Sequence, residues 1–169
     1  MALDIVYYGN ETLKTVADEV KNIDGVVVNL VDSMFDSMYR ARGIGLAAPQ
    51  VDIARRIVII DTQERGVPPL ALINPVIKES SRDTEPYEEG CLSVPGIMRD
   101  VIRPTMIHVA AVSLDGEEFE FEAGGLTARV IQHEVDHLNG ILFVDRLDSF
   151  IRNELRAELK RIKKLNRPK

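Results

Sequence analysis

The chain has 169 residues, 45% hydrophobic and 28% charged, with no Trp and a net charge of −6. That length is about one domain with a substantial core, and the composition is that of a soluble globular protein. The acidic balance argues against general DNA binding, no apolar run approaches the ~20 residues needed to span a bilayer, and the start "MALDIVYYGN" lacks the basic and apolar stretches of a secretory signal. The lone cysteine, Cys91, has no partner for an internal disulfide. A reducing, cytoplasmic setting is therefore expected, in which the thiol needs another reason to exist.

From Asp24 to Arg42, Val27, Leu30, Val31, Met34, Met38 and Ala41 recur at helical spacing. This predicts an amphipathic helix with Asp24 as N-cap and Gly43 as its stop. "GIGLAAPQ" (43–50) follows, then strands at "RIVIID" (56–61) and "LALINPVI" (70–77), and a hairpin in "MIHVAAVSLDGEEFEFE" turning at Asp115-Gly116. "GGLTARVIQHEVDHLNG" returns to helical periodicity and ends at Asn139-Gly140. From Ser149, Ile151, Leu155, Leu159 and Ile162 form one stripe of a C-terminal helix. Residues 151–169 carry eight Lys or Arg against two Glu, about +6, which leaves about −12 on the rest. The pattern predicts a single α+β domain over 1–169: antiparallel strands packed around a central helix, with N-terminal and C-terminal helices.

His133, Glu134 and His137 match H-E-x-x-H. Residues four apart share a helix face, so both imidazoles reach one ion while the glutamate sits beside a water on it. The competing reading is a pair of buried, hydrogen-bonded histidines. His108, in the hairpin, reads as a sheet or surface histidine. A catalytic site of this kind takes three protein ligands and leaves one position open. The longer motif with a third histidine fails, because Phe143 stands in its place. Glu154, after Asn153, is one candidate for the third ligand and would make a zinc peptidase, although it sits in the basic helix where an ion pair is the commoner role. Cys91 in "EEGCLSVPG" is the other; its ordinary role would be that of a small buried hydrophobe. A structural metal site on a non-catalytic binding protein remains a third reading, but it would normally be closed by a fourth protein ligand.

"GIGLAAPQ" contains G-x-G-x-x-A, with Asp61 placed like a ribose-binding acid. A dinucleotide fingerprint needs a strand before it and a helix after. Here a helix precedes and Pro49 and a strand follow. The better reading is a close approach of backbone to ligand at Gly43 and Gly45, with Gln50 as an amide donor to a developing oxyanion.

"GIGLAAPQ", "EGCLS" and "QHEVDH", in this order and at these separations, resemble the three signature motifs of the peptide deformylase family. The resemblance extends through "LINPVI", "VPGIMRDVIRP" and "NGILFVDRL", and is weakest in the first twenty residues and the tail. "YYGNETL" departs from the Pro-containing turn common there, which touches the start of the fold and not the site. The resemblance implies an enzyme that removes the formyl group from the N-terminal formyl-methionine of nascent peptides. It makes Cys91, His133 and His137 the metal ligands, Glu134 the general acid and base, and Gln50 with the Leu92 N–H the oxyanion donors. Ile44 and Gly45 flank the substrate backbone, Leu126, Arg129 and Val130 line the methionine pocket, and Arg99 contacts substrate. It implies one divalent metal per chain, Fe2+ in cells, with Zn2+, Ni2+ or Co2+ also admitted by a thiolate–imidazole set. A monomer is expected, and the basic C-terminal helix suggests a ribosome contact, against the plainer reading of a solvated face.

Overall fold

The computed structural model describes residues 1–166; Arg167, Pro168 and Lys169 of the basic tail lie outside them. Helix α1 spans Gly25–Arg40. Asp24 accepts from the Val27 N–H at its start, and Val27, Val31, Met34 and Met38 form its buried stripe. Its end differs from expectation. Arg42, not Gly43, adopts the left-handed conformation, with φ 59°. The Arg42 and Gly43 N–H groups donate to the Tyr39 and Met38 carbonyls, so Gly43 closes a Schellman motif as its last residue.

Strands β1 (Gly45–Ala47), β2 (Ile57–Ile60) and β3 (Leu70–Ser80) run antiparallel. Strand β4 (Thr84–Cys91) turns through Leu92-Ser93 into β5 (Val94–Pro104) and makes a separate two-stranded sheet. Strands β6 (Met106–Val112) and β7 (Glu118–Gly124) form the expected hairpin, with Gly116 at φ 83° in its turn. They complete a five-stranded antiparallel sheet in the order β1-β2-β3-β6-β7. Helix α2 (Gly125–Leu138) packs on this sheet, followed by a 3-10 turn at Phe143–Arg146, then α3 (Ser149–Glu154) and α4 (Arg156–Lys163). The α+β expectation holds, with a second, smaller sheet added and the C-terminal helix divided at Leu155.

Helix α2 is buried continuously from Ala128 to Leu138. Ala128, Ile131, Val135 and Leu138 form the stripe that packs into the sheet's core. Arg129, His133, Asp136 and His137 form an opposite stripe that is buried yet polar. Burying such a face is costly unless its groups are paired, and the β4–β5 hairpin carries partners for Arg129, His133 and Asp136, while His137 Nδ1 has none. Three hydrophobic clusters therefore meet around α2: the sheet face holding Val58, Val109 and Val130; the α1 side holding Met34, Leu46 and Ile59; and the hairpin with the C-terminal segments, holding Val101, Phe143 and Leu159. Among the described residues, no helix is long and apolar enough to cross a membrane.

Candidate active site

His133 and His137 project from α2 and Cys91 from the end of β4. Their donor atoms lie within 4.8 Å of one another, and Cys91 Sγ is 3.3 Å from His137 Nε2. Glu154, the rival third ligand, is exposed at the end of α3 and is not in this group. His108 meets Glu120 Oε1 at 3.1 Å across the β6–β7 pair, also outside the group.

The residues fit a divalent ion on three grounds. Glu89 Oε1 lies 2.9 Å from His133 Nδ1, so the carboxylate fixes the proton on Nδ1 and leaves Nε2 free to ligate. Burial pulls the His133 pKa down, but Glu134 and the bonds to Cys91 and Glu89 outweigh it and hold it well above the usual range; the surroundings thus favour positive charge, which an ion would supply. Burial, His133 and Arg103 hold His137 well below its usual range, so it stays neutral, as a ligand must. Glu134 Oε1 is buried without a hydrogen-bond partner and 3.8 Å from His137 Nε2, too far for a bond. Burial raises the Glu134 carboxyl to about 7 despite His133 nearby, which suits a group that takes and returns a proton near neutrality.

Gln50 is 1% exposed and its amide is aimed. The Ala47 N–H donates to Oε1 at 3.0 Å, which turns Nε2 toward Cys91 Sγ at 3.4 Å and Ser93 Oγ at 3.2 Å. The Val6 and Tyr8 N–H groups donate to the Gln50 and Ser93 carbonyls, so the N-terminal segment braces both. Leu92 sits in the two-residue turn beside Cys91, with its side chain where a Cβ on Gly43 would be. Gly45 brings β1 against α2: an added Cβ would lie 2.5 Å from Glu134 Oε2. A cleft of about 590 Å3 opens here, with Ile44, Gly45, Leu126, Arg129 and Val130 in its wall. Arg99 is not in that wall. Its Nη1 donates to the Met98 carbonyl at 2.8 Å, and Met98 lines the cleft in its place.

Arg129 is committed to structure as well as to the cleft. It donates to Glu89 Oε2 at 2.6 Å and to the Val101 and Glu85 carbonyls at 2.8 Å, with Tyr87 stacked on the guanidinium. Glu89 is the hub that sequence reasoning missed. Burial pushes its carboxyl up, but bonds to His133 and Arg103 dominate and hold it down at about 2, so it is ionised. Arg103 grips it at 2.6 and 2.9 Å and also reaches Asp136 Oδ2 at 2.9 Å. Asp136 continues the i, i+4, i+7 stripe from Arg129 and His133, but neither that spacing nor the alternation of Arg103 with Val101 on β5 shows burial without the structure.

Fold and site together are those of a metal-dependent hydrolase, with a Cys-His-His group that could hold the ion and a buried glutamate at its side. The sequence profile of the family described as polypeptide deformylase matches residues 2–153. A peptide deformylase of Chromobacterium violaceum is 47% identical over 97% of this chain and 98% of its own. The crystal structure of a peptide deformylase from Legionella pneumophila matches with a TM-score of 0.90 at 39% identity, over 98% of this chain and 97% of that one. A Synechococcus elongatus peptide deformylase, solved in complex with actinonin, matches with a TM-score of 0.84 at 43% identity over 95% and 85%. The chain belongs to the peptide deformylase family and is an enzyme of it.

Proposed function

We propose that the chain acts as one catalytic domain that removes the formyl group from the N-terminal formyl-methionine of nascent polypeptides, releasing formate. The observation that carries this reading is the convergence of the Cys91–His133–His137 group, the Gln50 amide and the buried Glu134 at the head of one apolar-walled cleft. Cys91, His133 and His137 would hold the metal, which supplies a Lewis acid that acidifies water and polarises a carbonyl; the donor set favours Fe2+ in cells and also accepts Zn2+, Ni2+ or Co2+.

Glu134 accepts a proton from the attacking water and delivers it to the departing amine, so that formate and a free N-terminus result. The Gln50 Nε2–H and the Leu92 N–H donate to the formyl oxygen as it gains charge. One such donor is typically worth about 3–4 kcal/mol of barrier. Strand β1 pairs with β2 along one edge only, which leaves its other edge at Gly45 open to an extended substrate backbone, while the Ile44 carbonyl accepts from the Asp61 N–H at 2.9 Å and places Ile44 beside that substrate. Leu126, Val130 and the stem of Arg129 receive the methionine side chain. A formyl carbon bears only hydrogen, and the close contact of Gly45 with Glu134 supports exclusion of larger acyl groups by clash.

The test is turnover of formyl-Met-Ala by metal-replete protein. Formate release is expected, with none for the acetylated peptide, and Glu134→Ala should lower kcat about 10²- to 10⁴-fold. Absence of formate from the wild-type protein would end the reading. On this reading the enzyme works in the cytoplasm, as a monomer with no membrane or DNA partner. Arg152, Arg156, Lys160 and Lys163 border a second cleft with Tyr8, whose ring lies 5.4 Å from Lys163 Nζ. This basic surface supports docking to ribosomal RNA. Salt-sensitive cosedimentation with ribosomes, lost on removing residues 151–169, is the expected result; retention by the truncated protein would leave the surface as a solvated face.

A further inference from the structure

Resting on the reading of Cys91, His133 and His137 as metal ligands, we infer that Arg146 is a positioning residue for that site. It acts on the orientation of His133 through Asp136, Arg103 and Glu89. The geometry is a chain of alternating charges that leads from the turn after α2 back to a ligand.

The last link is Glu89 Oε1, which holds both His133 Nδ1 and Arg103 Nη2 at 2.9 Å. The tilt of the imidazole depends on where that oxygen sits; Arg129 fixes the other oxygen, Oε2, at 2.6 Å, and the Arg103 fork, which spans both, sets the turn of the carboxylate and so the place of Oε1. Arg103 is shared, because its Nη1 donates to Asp136 Oδ2 at 2.9 Å. A guanidinium between two carboxylates rests where their attractions balance. Arg146 sets that balance from the far side. It grips Asp136 with Nε on Oδ2 at 2.5 Å and Nη2 on Oδ1 at 2.7 Å. With Asp136 so neutralised, Arg103 is left to Glu89. Without Arg146, Arg103 is the remaining cation on Asp136 among the described residues, and it is drawn away from Glu89 and the imidazole.

Arg146 itself is held in place by its turn. Asp145 Oδ2 accepts from the Leu142 N–H at 2.9 Å, and Asp145 Oδ1 receives Arg152 from α3. The Arg146 side chain is 43% exposed, against 4–10% for Arg103, Glu89 and Asp136. Its loss therefore unbalances the network without opening a core cavity, which makes the effect separable from folding.

The experiment is titration of metal-free protein with Co2+, with affinity read by chelator competition and ligand geometry by the visible absorption bands. Direct partners of a ligand typically change metal affinity 10- to 100-fold, so Arg146→Ala, three residues further out than Glu89, should weaken binding roughly 3- to 10-fold and shift the bands. Arg146→Lys keeps the charge without the fork and should fall between. The decisive variant is Arg146→Ala with Asp136→Asn, which removes the competitor for Arg103 and should return affinity and spectrum toward wild type. If Arg146 merely fastened the turn to α2, the double variant would bind no better than the single one, and that result overturns the proposal. So does an unchanged affinity and spectrum in Arg146→Ala. A wild-type protein that binds no Co2+, indistinguishable from Cys91→Ala, would instead remove the metal reading and the inference with it.

Discussion

An alanine at position 45 would put its Cβ 2.5 Å from Glu134 Oε2 and 2.6 Å from Val130 Cγ1, so one or both must move. As the proposed proton carrier, Glu134 would be the group most sensitive to displacement, since a shift of ~1 Å at a reacting centre costs on the order of 10²-fold in rate. Gly45→Ala should thus lower kcat by about that factor while the protein remains folded, with formate release and thermal melting as the readouts; an unchanged kcat would mean that Glu134 is not held by this contact. Gln50 makes a different expectation. Its amide Nε2 lies 3.4 Å from Cys91 Sγ, so if it donates to the developing oxyanion as proposed, Gln50→Ala should lower kcat about 10²- to 10³-fold with little change in KM. An equal rise in KM with kcat intact would make it a ground-state binder. Cys91, His133, Glu134 and Gln50 were legible in the sequence as candidates, because their residue types and spacing by themselves suggest metal ligation, proton transfer and amide donation. Glu89, Arg103 and Asp136 were not, because Arg, Asp and Glu are surface residues by default, and only the tertiary structure shows that these three are buried against one another.

Helix α2 gains its functional form from its ends as much as from its stripes. Its C-terminus is a Schellman motif in which the Gly140 and Ile141 N–H groups donate to the His137 and Asp136 carbonyls. Gly140 stands at φ 74°, and a Cβ there would lie 2.6 Å from the Lys14 carbonyl oxygen. Gly140→Ala therefore combines left-handed strain with a backbone clash. A loss of about 2–4 kcal/mol is expected by denaturant unfolding, as ~1–2 for the conformation and a similar amount for overpacking. A change within 0.5 kcal/mol would show that the chain relieves both. The helices were readable because apolar residues recur at helical spacing, and the β6–β7 hairpin because Asp115-Gly116 marks its turn. Strands β4 and β5 were not. "DTEPYEEG" is exposed at nearly every position and interrupted by Pro86 and Gly90, so no alternation is visible. The hairpin's buried side meets the polar stripe of α2 through Glu89 and Arg103, where apolar patterning gives no signal.

The molecule brings its three hydrophobic clusters together at the Cys91–His133–His137 group. Cys91 borders the cluster of the hairpin and C-terminal segments, Leu92 that of α1, and Val130 that of the main sheet. A bound ion would thus tie the β4–β5 hairpin to α2 across a boundary between clusters, and it would stabilise the whole fold by mass action. At a free metal concentration 100 times Kd that is about 2.7 kcal/mol, which for a chain of this size is roughly 5–10 °C in melting temperature. Chelation should lower the melting temperature by that amount and increase hydrogen exchange in β4 and β5 before the five-stranded sheet. Cys91→Ala should melt like the chelated protein and be insensitive to chelator, because it has already lost the tie. Glu154→Gln should behave as wild type, since Glu154 is exposed on α3 and takes no part in the ligand group. If chelator removes the ion from wild-type protein, as elemental analysis would show, and the melting temperature and the hairpin's exchange do not change, the ion does not join the clusters and its site is independent of the fold around it.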